Sequence, residues 1–373
     1  MGGDLKINID KTGFDAASGV TAVVSAFRSE KFMEGRMENL LSSSLYAKGR
    51  LEIIVIDASS PEAEGDIVLQ FADRFPNIRY LRTPAPESVY ASWNRGFSMA
   101  KGAFVINANT DDRFAFDALE CLAAGLCLDS EISATYGNWL VTQTENDGFD
   151  SPSKKFLFEY PEFQPPLFLY FQITSHAAML RRSVFEAVGP FSEQMSVFGD
   201  REWMLRFCSA GYRAAKINRA VGLYLINRNG LEASNPKGSE EFITIRERYQ
   251  SEAAFCSLFG LTTVPAPKEL AGLYASAAAM GRNFYRLPAG PVSDYAFSAV
   301  LCKRALRLDP TNAAALNNLA GIFMAEAEWS KAAPLLKAAS LVADESLKPI
   351  VSQNRLRLER MEKDIDTFGW IYA

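Results

Sequence analysis

The sequence predicts an α/β fold, a mostly parallel sheet with helices on both faces, followed by a small all-α domain. Three observations predict it. From residue 20 onward, short β-rich apolar runs alternate with stretches of helical periodicity. The strand-like runs are nearly continuous in apolar residues, as strands covered on both faces are. Beyond about residue 262 the strand signals stop and alanine and leucine become frequent.

"VTAVVSAF" (20–27) reads as the first strand. In "SEKFMEGRMENLL", Phe32, Met33, Met37, Leu40 and Leu41 then fall at helical spacing behind Ser29, a predicted cap. "LEIIVID" (51–57) is the second strand, and Ile67, Val68, Phe71, Ala72 and Phe75 mark a second helix. "IRYLR" (78–82) is the third strand, and Val89, Trp93, Phe97 and Ala100 mark a third helix. "AFVIN" (103–107) is the fourth strand. In such sheets ligands bind beyond the carboxyl ends of the strands, where Asp57, Asp111 and Asp112 fall. Residues 130–250 are less regular. They hold "ATYGNWLV", an aromatic segment "FLFEYPEFQPPLFLYFQ" (156–172), the strand "AAMLRR" and a helix "DREWMLRFCSAG" starting at Asp200. The aromatic segment is either a loop folded onto the core or a stacking surface for sugars or apolar carriers.

The chain of 373 residues, 48% hydrophobic, has room for more than one core. The division read from it is a tail (1–18), an α/β domain (19–262) and a helical domain (263–373). A formal net charge of −5 argues against a general nucleic-acid binder. Five cysteines without a C-x-x-C pair read as reduced thiols. The first residues lack the apolar stretch of a secretory signal, and no run of about 20 apolar residues offers a membrane span. The expected location is the cytoplasm, with peripheral attachment to the inner face of a membrane left open.

No G-x-G-x-x-G follows the first strand, and no G-x-x-x-x-G-K-[ST] occurs. A bound diphosphate would therefore need a cation. "FVINANTDDRFA" (104–115) ends a buried strand in two adjacent carboxylates, Asp111 and Asp112. They read either as a cap for a helix near Phe114 or as ligands of a hard divalent ion. Asp200 opens its helix, a position that reads as an N-cap. His176 is the only histidine, so a multi-histidine zinc site is excluded. In the last hundred residues, Leu316, Leu319, Phe323, Trp329, Ala332, Leu336 and Ala339 match the tetratricopeptide pattern, and "CKRALRLDP" matches the end of an earlier repeat.

"TAVVSAFRSEKFMEGRMENLLSS", "LEIIVIDASS", "SVYASWNRGFSMAKGAFVINANTDDR" and "GPFSEQMSVFGDREWMLRFCSAGYR" stand in one order over about 240 residues. Together they resemble the family 2 glycosyltransferases of GT-A fold. The resemblance implies transfer of a sugar, with inversion, from a nucleoside-diphosphate sugar to a glycan, protein or lipid-linked acceptor, helped by Mn²⁺ or Mg²⁺. It places a metal ligand at Asp112, a ribose or metal-water contact at Asp111, and the base at Asp200 with Glu202 as the alternative. Ser25 and Asp57 fall at the nucleoside and Asn94 beside the donor; Arg206 is either a partner of the Asp200 carboxylate or of a phosphate, or a surface charge. His176 is a further candidate metal ligand, or a structural residue. Ala58 stands where the family often carries a second acid, so the nucleobase is left open. The helical domain would offer a groove to a protein partner. The alternative is a non-catalytic nucleotide-binding scaffold acting through that domain.

Overall fold

A computed structural model describes residues 19–151, 153–174, 177–227, 235–282, 285–287, 290–361 and 368–372. The chain divides into two compact units. The first holds residues up to Phe163 together with Gln172–Arg248, and the second holds Gln164–Phe171 with Tyr249–Ala373.

In the first unit β1 (Val20–Ala26) leads to α1 (Glu30–Leu41) and a short α2 (Ser44–Ala47). Next come β2 (Leu51–Asp57), α3 (Glu64–Ala72), β3 (Ile78–Arg82), α4 (Val89–Met99) and β4 (Phe104–Asn107). This is the βα alternation expected. β1 and β2 are buried along almost their whole length, which is why they read as unbroken apolar runs. Ser88 caps α4 by accepting from the Ala91 N–H. Ser29 makes no such bond for α1; its hydroxyl donates to Glu64, 3.3 Å away, and the predicted cap is corrected on that point.

The remaining elements are β5 (Arg113–Phe114), α5 (Ala118–Leu128), β6 (Ile132–Thr142), β7 (Phe156–Phe158), β8 (Met179–Arg181), α6 (Arg182–Val188), α7 (Gly199–Ser209), β9 (Arg213–Leu225) and α8 (Gly238–Arg248). The strands form one mixed sheet in the order β3-β2-β1-β4-β8-β6-β9-β5, with β7 on β6. The four N-terminal strands pair in parallel. The direction reverses at β8, which runs antiparallel to both β4 and β6. The sheet therefore changes sense beside β4, the strand that ends at Asn107. This is an α/β fold built on one mixed sheet.

The second unit holds α9 (Glu252–Ser257), α10 (Pro267–Met280), α11 (Tyr295–Leu308), α12 (Ala313–Ala325), α13 (Trp329–Val342) and α14 (Lys348–Glu359). α12 and α13 form a helical hairpin whose buried residues include Leu316, Leu319, Ala332, Leu336 and Ala339. Tyr170, from the aromatic segment, donates its hydroxyl to the Ala277 carbonyl at 2.9 Å. No helix among the described residues is long and apolar enough to cross a membrane.

A candidate active site at the end of the fourth strand

The chain leaves β4 at Asn107 and reaches β5 at Arg113 through "ANTDD". No helix starts near Phe114: that residue is in β5 and the next helix begins at Ala118, so the capping alternative for Asp111 and Asp112 is not met. Asp112 is only 2% exposed. Its carboxylate accepts from the Asn109 side-chain amide at 3.2 Å and the Leu225 N–H at 3.4 Å. Asp111 is half-buried and accepts from the Asn227 amide at 3.4 Å. Burial, then the charge of Asp111, pushes the Asp112 carboxyl well above the usual carboxylate range.

Two buried arginines hold this loop by its backbone. Arg36, on the apolar side of α1, donates Nε to the Asn109 carbonyl at 2.8 Å and Nη1 to Asn39 at 3.0 Å. Its Nη2 is buried without a partner among the described residues. Arg113 donates to the carbonyls of Thr110 and Asp112 at 2.8 and 2.6 Å and to the Asn146 side chain at 3.0 Å. Gly35 leaves room for that guanidinium, since a Cβ there would lie 2.6 Å from Arg113 Nη2. Neither arginine was singled out in the sequence. The available signal was a charged residue set between Met33, Met37 and Leu40 on one helix stripe.

The donor set suits a divalent cation: two adjacent carboxylates, one desolvated and disfavoured as a bare anion. Among the described residues no group of three or more His, Cys, Asp or Glu side chains converges. An ion here would draw its other ligands from substrate oxygens and water, as Mg²⁺ and Mn²⁺ do. His176 lies outside the described residues.

Asp200 is the second residue of α7, preceded by Phe198 as the N-cap. Its Oδ1 accepts from the neighbouring Arg201 N–H at 2.8 Å. It lines a pocket with Asn107, Trp93, Gln172, Thr174 and Met204, among others. The pocket thus joins the start of α7 to the end of β4. Trp93 Nε1 and Gln172 Oε1 are both buried there without a partner among the described residues.

The entry to α7 is fixed by groups distant in sequence. Glu241 accepts from the N–H groups of Ser196, Val197 and Phe198 at 2.6, 2.9 and 3.0 Å. The Tyr90 hydroxyl donates to the Val197 carbonyl at 2.5 Å. The Tyr90 ring packs where a Cβ on Gly199 would sit, 2.8 Å from its Cε2.

The remaining predicted residues act locally. Glu202 receives Arg206 at 3.1 Å and Arg248 at 2.7 Å. Arg206 also donates to the carbonyls of Val188 and Pro190. Asn94 brackets Phe191, donating to its carbonyl at 3.0 Å and accepting from its N–H at 2.8 Å. Asp57 is fully buried and accepts from the Tyr80 hydroxyl (2.6 Å), Arg82 (2.5 Å) and the Ser60 N–H (2.7 Å). Burial and then the Asp57 bond raise the Tyr80 hydroxyl to about 12. Ser25 lies half-buried in β1, in register with Ile56, one position before the Ala26–Asp57 pair.

A mixed sheet of this order, with an acidic doublet past the last of its four N-terminal strands and a carboxylate in a pocket that also holds Asn107 of that strand, defines an α/β domain with a cleft beside β4. Residues 21–189, a stretch of less than half the chain, match the family model described as Glycosyl transferase family 2. Among curated proteins it is 24% identical over 192 residues to "Glycosyltransferase AglE" of Haloferax volcanii, covering 50% of this chain and 60% of that one. It is 26% identical over 212 residues to "O-antigen biosynthesis protein RfbC" of Myxococcus xanthus, covering 57% and 16%. The chain therefore spans three-fifths or less of the length of these relatives. Among solved structures, S. aureus TarS 1–349 in complex with UDP-GlcNAc aligns over 94% of this chain and 89% of that one, at 13% identity and TM-score 0.47. The mannosyltransferase PcManGT from Pyrobaculum calidifontis, in complex with GDP-Man and Mn²⁺, aligns over 96% and 86%, at 16% identity and TM-score 0.44.

Proposed function

We propose that the first unit transfers a sugar from a nucleoside-diphosphate sugar to an acceptor hydroxyl, with inversion at the anomeric carbon. The observation that carries this reading is the buried Asp112 of an acidic doublet just past β4, with Asn107 at the end of that strand lining the same pocket as Asp200. Asp111 and Asp112 would hold Mn²⁺ or Mg²⁺, which when bound offsets the negative charge gathering on the diphosphate. Asp200 takes the proton of the acceptor hydroxyl as its oxygen bonds to the anomeric carbon. The bond from that carbon to the diphosphate breaks, and the nucleoside diphosphate keeps the electron pair. A single carboxylate at the reacting hydroxyl suits direct displacement.

The other groups position these two. Arg36 and Arg113 fix the doublet, and Glu241 and Tyr90 fix the start of α7. Asn94, Glu202 and Arg206 hold the turn before it. Trp93 Nε1 and Gln172 Oε1 are a donor and an acceptor suited to sugar hydroxyls. Ser25 and Asp57, at the ends of β1 and β2, belong to the nucleoside end, where Asp57 acts by fixing Ser60 and Arg82. The acceptor is a glycan, protein or lipid-linked hydroxyl, and the helical unit, read as tetratricopeptide-like, is the place for a protein partner.

The test is thermal unfolding with a panel of nucleoside diphosphates, with and without Mn²⁺. Stabilisation that requires both components is expected. No response from any pair would overturn the cation–diphosphate site, and stabilisation without sugar transfer or donor hydrolysis would favour a nucleotide-binding scaffold.

A further inference from the structure

The second unit carries a polar device that the transferase reading leaves unused. Asn317 and Asn318 on α12 and Asn354 on α14 are all fully buried, although most of the α12 core around the first two is alanine, leucine and glycine. Buried amides are costly unless paired, and apolar residues would cover a groove more cheaply. All three are paired with the backbone of the segment Phe368–Tyr372. Asn318 donates to the Ile371 carbonyl at 2.7 Å and accepts from its N–H at 2.9 Å. Asn354 does the same at Gly369, at 2.7 and 2.8 Å. Asn317 adds a bond to the Gly369 carbonyl at 2.8 Å and accepts from Asn354 at 2.8 Å.

The bonded residues are two apart, the period of an extended strand. An asparagine amide offers one donor and one acceptor side by side, and so pairs with a peptide group whatever its side chain. This is strand capture by side chains in place of a neighbouring strand. Shape supplies the selectivity. A Cβ on Gly321 would lie 2.5 Å from the Phe368 ring, and one on Gly369 would lie 2.5 Å from Ile350. Trp370 stacks 6.1 Å from Tyr295. The fit is incomplete, because Trp370 Nε1 is buried without an acceptor among the described residues.

We infer that the groove between α12 and α14 is a peptide site that reads an extended backbone, and that Phe368–Tyr372 occupies it as an internal ligand. Its exchangeable partner is an extended segment of the pattern aromatic–Gly–aromatic–aliphatic. This segment then competes with such a partner, and binding in trans requires the segment to leave.

The probe is a fluorescent synthetic peptide of residues 367–373, titrated into the full chain. Saturable binding is expected, tightened at least tenfold by Trp370→Ala in the full chain, which weakens the internal occupant. A chain ending at Met361 should behave likewise. In the chain ending at Met361 or carrying Trp370→Ala, Asn318→Ala should weaken peptide binding at least tenfold, and a peptide N-methylated at the positions of Gly369 and Ile371 should not bind. Hydrogen exchange of the full chain gives a second measurement, independent of whether the truncated chain folds. The Gly369 and Ile371 amides should exchange by local opening, faster than those of α12. Exchange of Phe368–Tyr372 only with global unfolding, or no peptide binding to the full chain and its Trp370→Ala variant, would make the segment a fixed strut and overturn the inference.

Discussion

Replacing Glu241 with alanine removes one carboxylate that receives three successive backbone N–H groups immediately before α7. Hydrogen bonds to a charged group contribute about 1.5–3 kcal/mol each when buried. Ser196, Val197 and Phe198 are half-buried, so water recovers part of that, and about 1 kcal/mol per bond is the reasonable figure. The loss is then roughly 2–4 kcal/mol, or about 5–15 °C in Tm for a domain of this size. Glu241→Gln keeps one acceptor oxygen and should lose about half as much. Because the freed turn leads directly into Asp200, transfer should fall about 10–100-fold while nucleotide-dependent stabilisation persists. Thermal and urea unfolding give the first number, and turnover of whichever donor the nucleotide panel identifies gives the second. An alanine variant that melts with the parent would refute the assignment of Glu241 as the clamp on this turn.

Asp112→Ala is expected to abolish the Mn²⁺-dependent part of nucleoside-diphosphate stabilisation, and an unchanged thermal shift would remove Asp112 from the cation. Asp200→Asn should keep that stabilisation and lose transfer by a factor of ~10²–10⁴, the usual worth of a general base; full activity would move the base elsewhere. The raised Asp112 carboxyl gives the pH dependence its sign. Above the ordinary carboxylate value of about 4 and below its raised folded value, the cation-free protein holds a proton that an unfolded chain would release. That group's contribution to stability is therefore lost as pH rises through this window. A cation must displace the proton, so Mn²⁺-dependent stabilisation should grow with pH, by up to about tenfold in affinity per unit. A flat profile from pH 5 to 8 would contradict it. Gly199→Ala places a Cβ 2.8 Å from the Tyr90 ring and should cost about 1–3 kcal/mol, and Tyr90→Leu in the same chain should restore part of it in a double-mutant cycle.

The first half of the fold was legible because parallel strands covered on both faces leave unbroken apolar runs, as in "LEIIVID". The acidic doublet was legible for the converse reason, two charges where such a run stops. The antiparallel turn at β8 was not. It is three residues long and its partners lie on β4 and β6, which short propensities cannot specify. Glu241, Arg36 and the three buried asparagines also escaped, since each bonds a partner 15 to 73 positions away. Of these, Arg36 left a trace, a charge on an apolar helix stripe. Asn317 and Asn318 left a similar one inside "AAALNNLAG".

The polar residues around the cleft fall into two sets, each with its own partners among the described residues. Arg36, Arg113, Asn109 and the end of β9 hold the doublet. Glu241 and Tyr90 hold the start of α7, while Asn94 and Arg206 brace the turn at 188–191. A cation site needs carboxylates that stay close despite mutual repulsion, which is what a loop gripped at its carbonyls supplies. A general base needs only correct placement against one hydroxyl, which a pinned helix start supplies. Groups without shared partners couple weakly, so damage to one set should leave the other's readout largely intact. The wiring thus predicts that nucleotide binding and the proposed transfer will respond separately to damage, and variants that lost both together would show that the two clamps are one.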